Sequence, residues 1–236
     1  MAQPALANLS LQHPAPPSPA RRYLAHAIGP DAPPAHAAEL RMHGQIKLGS
    51  RWLDFRASEW LDPGEGFDWR AVTRTGPLRI SGYDRLVHGR GEMNWRLFGL
   101  VPVARGADAD ITRSAIGRLA AESIWVPTFL ASPTVAWSEN PDGSARAHWH
   151  IGDEGVAIDL TVAPDGRLQT VRLQRWGNPD QTTWRPLSFG AIVEEERTFS
   201  GLTVPSRLRV GWWFGDHRFA EGEFFRAVVD SLDPVL

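Results

Sequence analysis

The sequence predicts an α+β fold that is mainly antiparallel β. We expect a strongly curved, half-barrel-like sheet of about 10–11 strands, with a central helix on its concave face and a short N-terminal helix. Three observations predict it. Apolar and polar residues alternate with period two in two blocks of the chain. One long stretch with helical spacing separates the blocks. Strong hairpin turns join neighbouring stretches. The large excess of strand over helix excludes a doubly wound sheet. An open sheet of this many strands must curl or split, and a curled one buries its inner face under the intervening helix.

Residues 1–37 are read as an Ala/Pro-rich arm, because that composition offers little apolar surface to bury. Within it, Ser18 to Gly29 form a short helix, with Ser18 as cap, Pro19 at the first position and Gly29 past the end. Tyr23, Leu24, Ala27 and Ile28 give it one apolar stripe to pack against the body. Residues 38–236 are read as a single sheet domain with a helix inserted at 110–125. From Leu40 to Leu48 apolar residues alternate with Arg41, His43, Gln45 and Lys47, and similar stretches follow at 52–60, 67–71, 78–82 and 91–97. Gly49-Ser50 and Asp62-Pro63-Gly64 are turn signals between them.

In the central helix, Ile111, Ala115, Ile116, Leu119, Ala120 and Ile124 recur at spacings of three and four. Asp110 is the expected cap, and Pro127 follows the end. Gly117 allows a close approach to the sheet. Beyond it, Asn140-Pro141-Asp142-Gly143 and Ala163-Pro164-Asp165-Gly166 join 135–139 to 145–151 and 156–162 to 168–176. Stretches 189–196, 202–214 and 219–229 complete the sheet, and no internal repeat is present.

Composition narrows the function. With 25 basic and 27 acidic residues the net charge is −2, so no nucleic-acid partner is expected. The absence of cysteine excludes disulfides, thiolate metal sites and cysteine nucleophiles. Lys47 is the only lysine, and arginine carries nearly all the positive charge. No apolar run is long enough for a transmembrane segment. The N-terminus has no basic region followed by an apolar run, so a cytoplasmic location is expected. There is no Gly-x-Ser-x-Gly elbow, P-loop, dinucleotide fingerprint or His-Glu-x-x-His, and no cofactor is expected.

Ser123-Ile124-Trp125-Val126-Pro127-Thr128, Gly89-Arg90-Gly91-Glu92-Met93 and Arg175-Trp176-Gly177 resemble the pattern of a bacterial family of uncharacterised proteins, a domain of unknown function. In that family a Glu-x-x-Trp-x-Pro segment closes the helix, here Glu122 to Pro127. In outline the family resembles the lipoprotein-localisation-factor (LolA-like) half-barrels. That resemblance implies a curved antiparallel sheet with a helical lid and the binding of acyl chains.

Few residues stand out as chemistry. Glu122, near the C-terminal end of the central helix, sits at the unfavourable end of the helix dipole. It is read as the partner of Arg118 or Arg175, or as a ligand-binding or acid–base group. Arg175 continues the face of Val171 and Leu173, where an arginine needs a carboxylate or an anionic headgroup. A meeting of Glu122 and Arg175 across the concave face is the specific expectation. Trp60, Trp69, Trp95, Trp125, Trp176 and Trp212 mostly share parity with apolar neighbours, as core residues or as the wall of an apolar pocket. The candidate ligand-binding set is Trp69, Trp95, Glu122, Trp125, Arg175 and Trp176, with no catalytic residue and no metal ligand assigned. His148 and His150 share the polar face of a strand with Arg146 and lack a third ligand. Glu194-Glu195-Glu196 reads as a solvated strand end.

Three functions remain. The first is non-catalytic binding of an apolar or acyl-containing small molecule, or a lipid, between helix and sheet. The second is a structural or interaction protein with a filled core, monomeric or dimerised through an edge strand. The third is an enzyme using Glu122 and Arg175.

Overall fold

A computed structural model of the chain describes residues 15–76 and 78–236. The first fourteen residues of the expected arm lie outside the described residues. The strands are β1 (Ala37–Leu48), β2 (Arg51–Asp62), β3 (Gly66–Thr75), β4 (Leu78–Val87), β5 (Arg90–Leu97), β6 (Val101–Gly106), β7 (Ala136–Glu139), β8 (Ala145–Ile151), β9 (Glu154–Val162), β10 (Leu168–Gly177), β11 (Arg185–Phe199), β12 (Leu202–Trp212) and β13 (Glu223–Val235). The helices are α1 (Ser18–Ala27), α2 (Ala109–Glu122), α3 (Pro127–Leu130) and α4 (Phe219–Gly222), with a 3₁₀ turn at Ser123–Trp125.

All thirteen strands form one antiparallel sheet in the order β6-β5-β4-β3-β2-β1-β13-β12-β11-β10-β9-β8-β7. Two meanders meet where β1 pairs with β13, Leu40 opposite Leu232. The first runs out from the middle to β6. The chain then crosses through α2 to the far edge at β7 and meanders back. This crossing requires curvature. Helix α2 touches β3, β4 and β5 on one wing and β9 and β10 on the other. Strands β5 and β10 are eight inter-strand spacings apart, or about 38 Å if the sheet were flat. A helix about 10–12 Å across spans that gap only if the sheet wraps around it.

The core fills the concave side. Ala145, Ala147, Trp149 and Ile151 of β8 are buried, while Arg146, His148 and His150 point outward into solvent. Among the described residues no group of three His, Asp or Glu side chains is placed to hold a metal ion. No helix among them is long and apolar enough to cross a membrane.

Several elements differ in detail from the sequence reading. The sheet has thirteen strands rather than 10–11, because each of the twelve stretches named above contributes a strand of its own and β6 adds one that no alternation marks. The stretch 219–229 opens with the helical turn α4, and its strand runs on to Val235. The helix expected over 110–125 ends at Glu122 and tightens into the 3₁₀ turn before Pro127. Ser18 is not a cap: it is the first helical residue, and its hydroxyl accepts from Arg22 Nη1. Helix α1 is docked, with Tyr23, Leu24 and Ala27 buried, and His26 Nε2 lies 2.9 Å from Glu196 Oε2. Glu196 is therefore an anchor and not part of a solvated run; it also accepts from the Leu168 backbone N–H. Glu194 and Glu195 are exposed.

The cap of α2 is Asp108 rather than Asp110. Its carboxylate accepts from the Ile111 N–H at 2.9 Å, which satisfies one of the orphan donors of the first turn. Asp110 sits one turn in and accepts from Trp176 Nε1 at 2.8 Å. We expect Asp108→Ala to lower unfolding free energy by about 1 kcal/mol in urea denaturation, and an unchanged midpoint would show that the first turn is held by packing alone.

Candidate functional site

The central feature of the concave side is a half-buried arginine surrounded by carboxylates. Arg118 projects from α2, four residues before Glu122. Its Nε is 2.8 Å from Glu122 Oε1, its Nη2 is 3.1 Å from Glu59 Oε1 and its Nη1 is 3.2 Å from Asp84 Oδ2. The guanidinium plane lies over the rings of Phe67 and Trp69, with centroids at 4.5 and 5.0 Å. Glu59 comes from β2 and Asp84 from β4, so one helical side chain ties down both strands. The side chain of Glu59 has no exposed area.

The charges do not balance if every group is ionised. Burial, followed by the nearby charge of Glu122, pushes the Glu59 carboxyl well above the usual carboxylate range, and Arg118 only partly opposes this. Glu59 Oε2 and Glu122 Oε2 are both buried without a hydrogen-bond partner, and the two carboxyls lie within hydrogen-bonding reach of each other. A proton on Glu59 Oε2, donated to Glu122 Oε2, satisfies both oxygens at once. It leaves two anions, Glu122 and Asp84, against two cations, Arg118 and Arg175.

Arg175 stands apart from this network. It projects from β10 beside α2, where Gly117 makes room: a Cβ on that glycine would sit 2.8 Å from Arg175 Cγ. This is the close approach that Gly117 was expected to allow. Nε donates to the Ser114 carbonyl at 3.0 Å, and among the described residues this is its only hydrogen bond. The guanidinium also lies 4.5 Å from the Phe189 ring centroid and 5.2 Å from that of Trp212. Burial, and then repulsion from Arg118, push its pKa down to about 10.

A cavity of about 130 Å³ opens beside Arg175, between the end of α2 and strands from both wings. Trp69, Ile124, Trp125, Phe189, Leu208 and Phe225 give it apolar walls, and Asp84, Arg118, Glu122 and Arg175 its polar ones. Of the residues singled out in the sequence, Trp69, Glu122, Trp125 and Arg175 therefore meet at this cavity. Trp125 is fixed by donating from Nε1 to the Pro205 carbonyl at 3.0 Å. Trp95 and Trp176 lie elsewhere. Trp95 stands behind Trp69, with centroids 5.5 Å apart, and donates to Asp84 Oδ1. Trp176 clasps the first turn of α2 through Asp110, with Arg113 stacked 4.2 Å over its ring. The expected ion pair between Glu122 and Arg175 is not made, because Arg118 on the same helix already holds Glu122.

Glu59 and Asp84 were not singled out in the sequence. The signal for Glu59 is its parity: it shares the inward face of β2 with Phe55, Ala57 and Leu61. Asp84 likewise shares the parity of Ile80 and the buried Leu86 on β4.

No curated protein matches the chain. Among solved structures, it is similar to a LolA superfamily protein from Nitrosomonas europaea, with a TM-score of 0.48 and 10% identity over 93% of each chain. It is also similar to a DUF1329 family protein from Desulfovibrio piger, with a TM-score of 0.46 and 13% identity over 86% of this chain and 87% of that one. Residues 10–224 match the model of a family of unknown function, DUF6544, and the chain belongs to that family.

Proposed function

We propose that the chain binds a small acyl-containing molecule with an apolar body and a single anionic head, the head taken by Arg175 and the body by the walls around Trp69, Trp125 and Phe189. The observation that carries this reading is the unpaired guanidinium of Arg175 at the wall of an otherwise largely apolar cavity. A half-buried arginine whose only hydrogen bond among the described residues is to a backbone carbonyl has donors left over for an anionic head. The size sets the scale of the ligand. A cavity of about 150 Å³ holds one benzene, so the space beside Arg175 takes a carboxylate and the first few carbons of a chain.

Arg175→Met is the discriminating variant. It keeps the apolar stem and removes the charge. The Ser114 carbonyl lies inside α2 and keeps its helical partner. The ligand-free protein should therefore be as stable as before or more so, while affinity for short saturated carboxylates falls about 10- to 100-fold in calorimetry. The small volume also favours a second reading, a filled core with no ligand. Lack of binding by the unaltered protein to carboxylates from butanoate to dodecanoate, with no species retained in native mass spectrometry, would establish that reading instead. An acid–base role for Glu122 gains no support, since Arg118 holds its Oε1.

A further inference from the structure

We infer that the β1–β2 and β5–β6 hairpin tips, at one end of the first meander, form a docking surface for an anionic lipid bilayer. The two turns lie at the same end of the sheet, and the Phe98 N–H donates to the Arg79 carbonyl of β4 at 2.7 Å. The outermost tip carries the densest run of exposed apolar side chains among the described residues: Phe98 is 53% exposed, Leu100 78%, Val101 57% and Val103 52%. At the β1–β2 tip Leu48 is 44% exposed. Contiguous apolar exposure of this kind marks an interaction surface rather than ordinary scatter.

Charge identifies the partner. Lys47, Arg51, Arg79, Arg96 and Arg105 flank these tips, and among the described residues none of the five makes an ion pair. No Asp or Glu occurs in 45–53, 72–83 or 93–106, although the whole chain has more acids than bases. The nearest acid in sequence to the first tip, Asp54, accepts from Gln45 Nε2. Apolar tips ringed by unpaired cations match a bilayer with anionic headgroups, where apolar side chains enter the interface and each nearby cation adds attraction. A second copy adding a strand is a poorer fit. Edge strand β6 carries Pro102, which has no N–H to offer a partner strand. The inference does not depend on the cavity, since none of these five cations or exposed apolar residues lines it.

The test is flotation of the full chain with vesicles of phosphatidylcholine alone or mixed with phosphatidylglycerol. Binding should require phosphatidylglycerol and weaken as salt is raised, because screening shortens the reach of the cations. Arg96→Ser with Arg105→Ser should reduce partitioning about 30-fold, and Phe98→Ser with Leu100→Ser should abolish the remainder. All four side chains are exposed, so circular dichroism and melting should stay unchanged, and carboxylate binding in the cavity should be unaffected. Equal binding to neutral vesicles, no binding to either, or full binding by both variants would overturn the inference. So would a dimer in sedimentation that the Phe98/Leu100 variant dissolves, which would assign the patch to self-association.

Discussion

Replacing Arg118 by methionine is expected to lower the unfolding free energy at neutral pH by about 3–5 kcal/mol, the usual consequence of removing one partner from a buried ionic cluster. Methionine matches much of the arginine stem and keeps its packing over Phe67 and Trp69, so cavity formation adds little. What remains is electrostatic. Glu59, Glu122 and Asp84 all lose the hydrogen-bond donor that holds them at 2.8–3.2 Å. The helix also loses its tie to β2 and β4. Arg118→Lys should rescue only a small part, because the three N–H groups of an ammonium radiate from one nitrogen, whereas the three carboxylates are met by three separate nitrogens, Nε, Nη1 and Nη2, of the planar guanidinium. Urea denaturation of both variants provides the measurement. A loss below about 1 kcal/mol in the methionine variant would mean that the cluster contributes no more than an exposed ion pair.

The parts of the fold that were legible in the sequence are those where burial is one-sided. β8 reads cleanly because every second residue from Ala145 to Ile151 is buried and the others face water. α2 reads cleanly because Ala115, Leu119 and Ala120 are buried on one side. β6 was not legible because Val101, Pro102 and Val103 are all exposed, so no alternation is imposed on them. The site divides in the same way. Arg118 and Glu122 are four apart on one helix and face each other by helical geometry alone. That local pairing prevails over the long-range pairing of Glu122 with Arg175. Glu59 and Asp84 reach Arg118 only through the curvature of the sheet, which no local pattern specifies. Their inward parity was present in the sequence, but a polar residue on a buried face is informative only once its partner is placed. Trp176 fails to reach the cavity for a simpler reason. Its indole is held at the first turn of α2 by Asp110 and Arg113, whereas the cavity lies at the other end of that helix.

The proton assigned to Glu59 has a pH signature of unusual sign. Most structural carboxylates have depressed pKa values and lose their contribution as pH falls. The Glu59 carboxyl is shifted upward by burial and by Glu122. Its stabilising contribution is therefore complete below the ordinary glutamate value of about 4.3. It declines as pH rises toward the elevated folded value, because the unfolded chain gives up its proton first. Glu59→Gln removes this dependence. The amide oxygen accepts from Arg118 Nη2 as Oε1 does, and the amide N–H takes the place of the carboxylic proton facing Glu122 Oε2. Below the ordinary glutamate value the variant and the original should be nearly equal in stability. At pH 8 the glutamine variant should be more stable by about 1–3 kcal/mol, the cost avoided by not deprotonating a buried, hydrogen-bonded group. Paired urea titrations from pH 4 to 8 measure the difference directly. If the glutamine variant is instead weaker by a similar amount at every pH above 5, Glu59 is ionised in the fold and acts as a counter-charge of Arg118, and the two buried carboxylate oxygens must be reconciled without a shared proton.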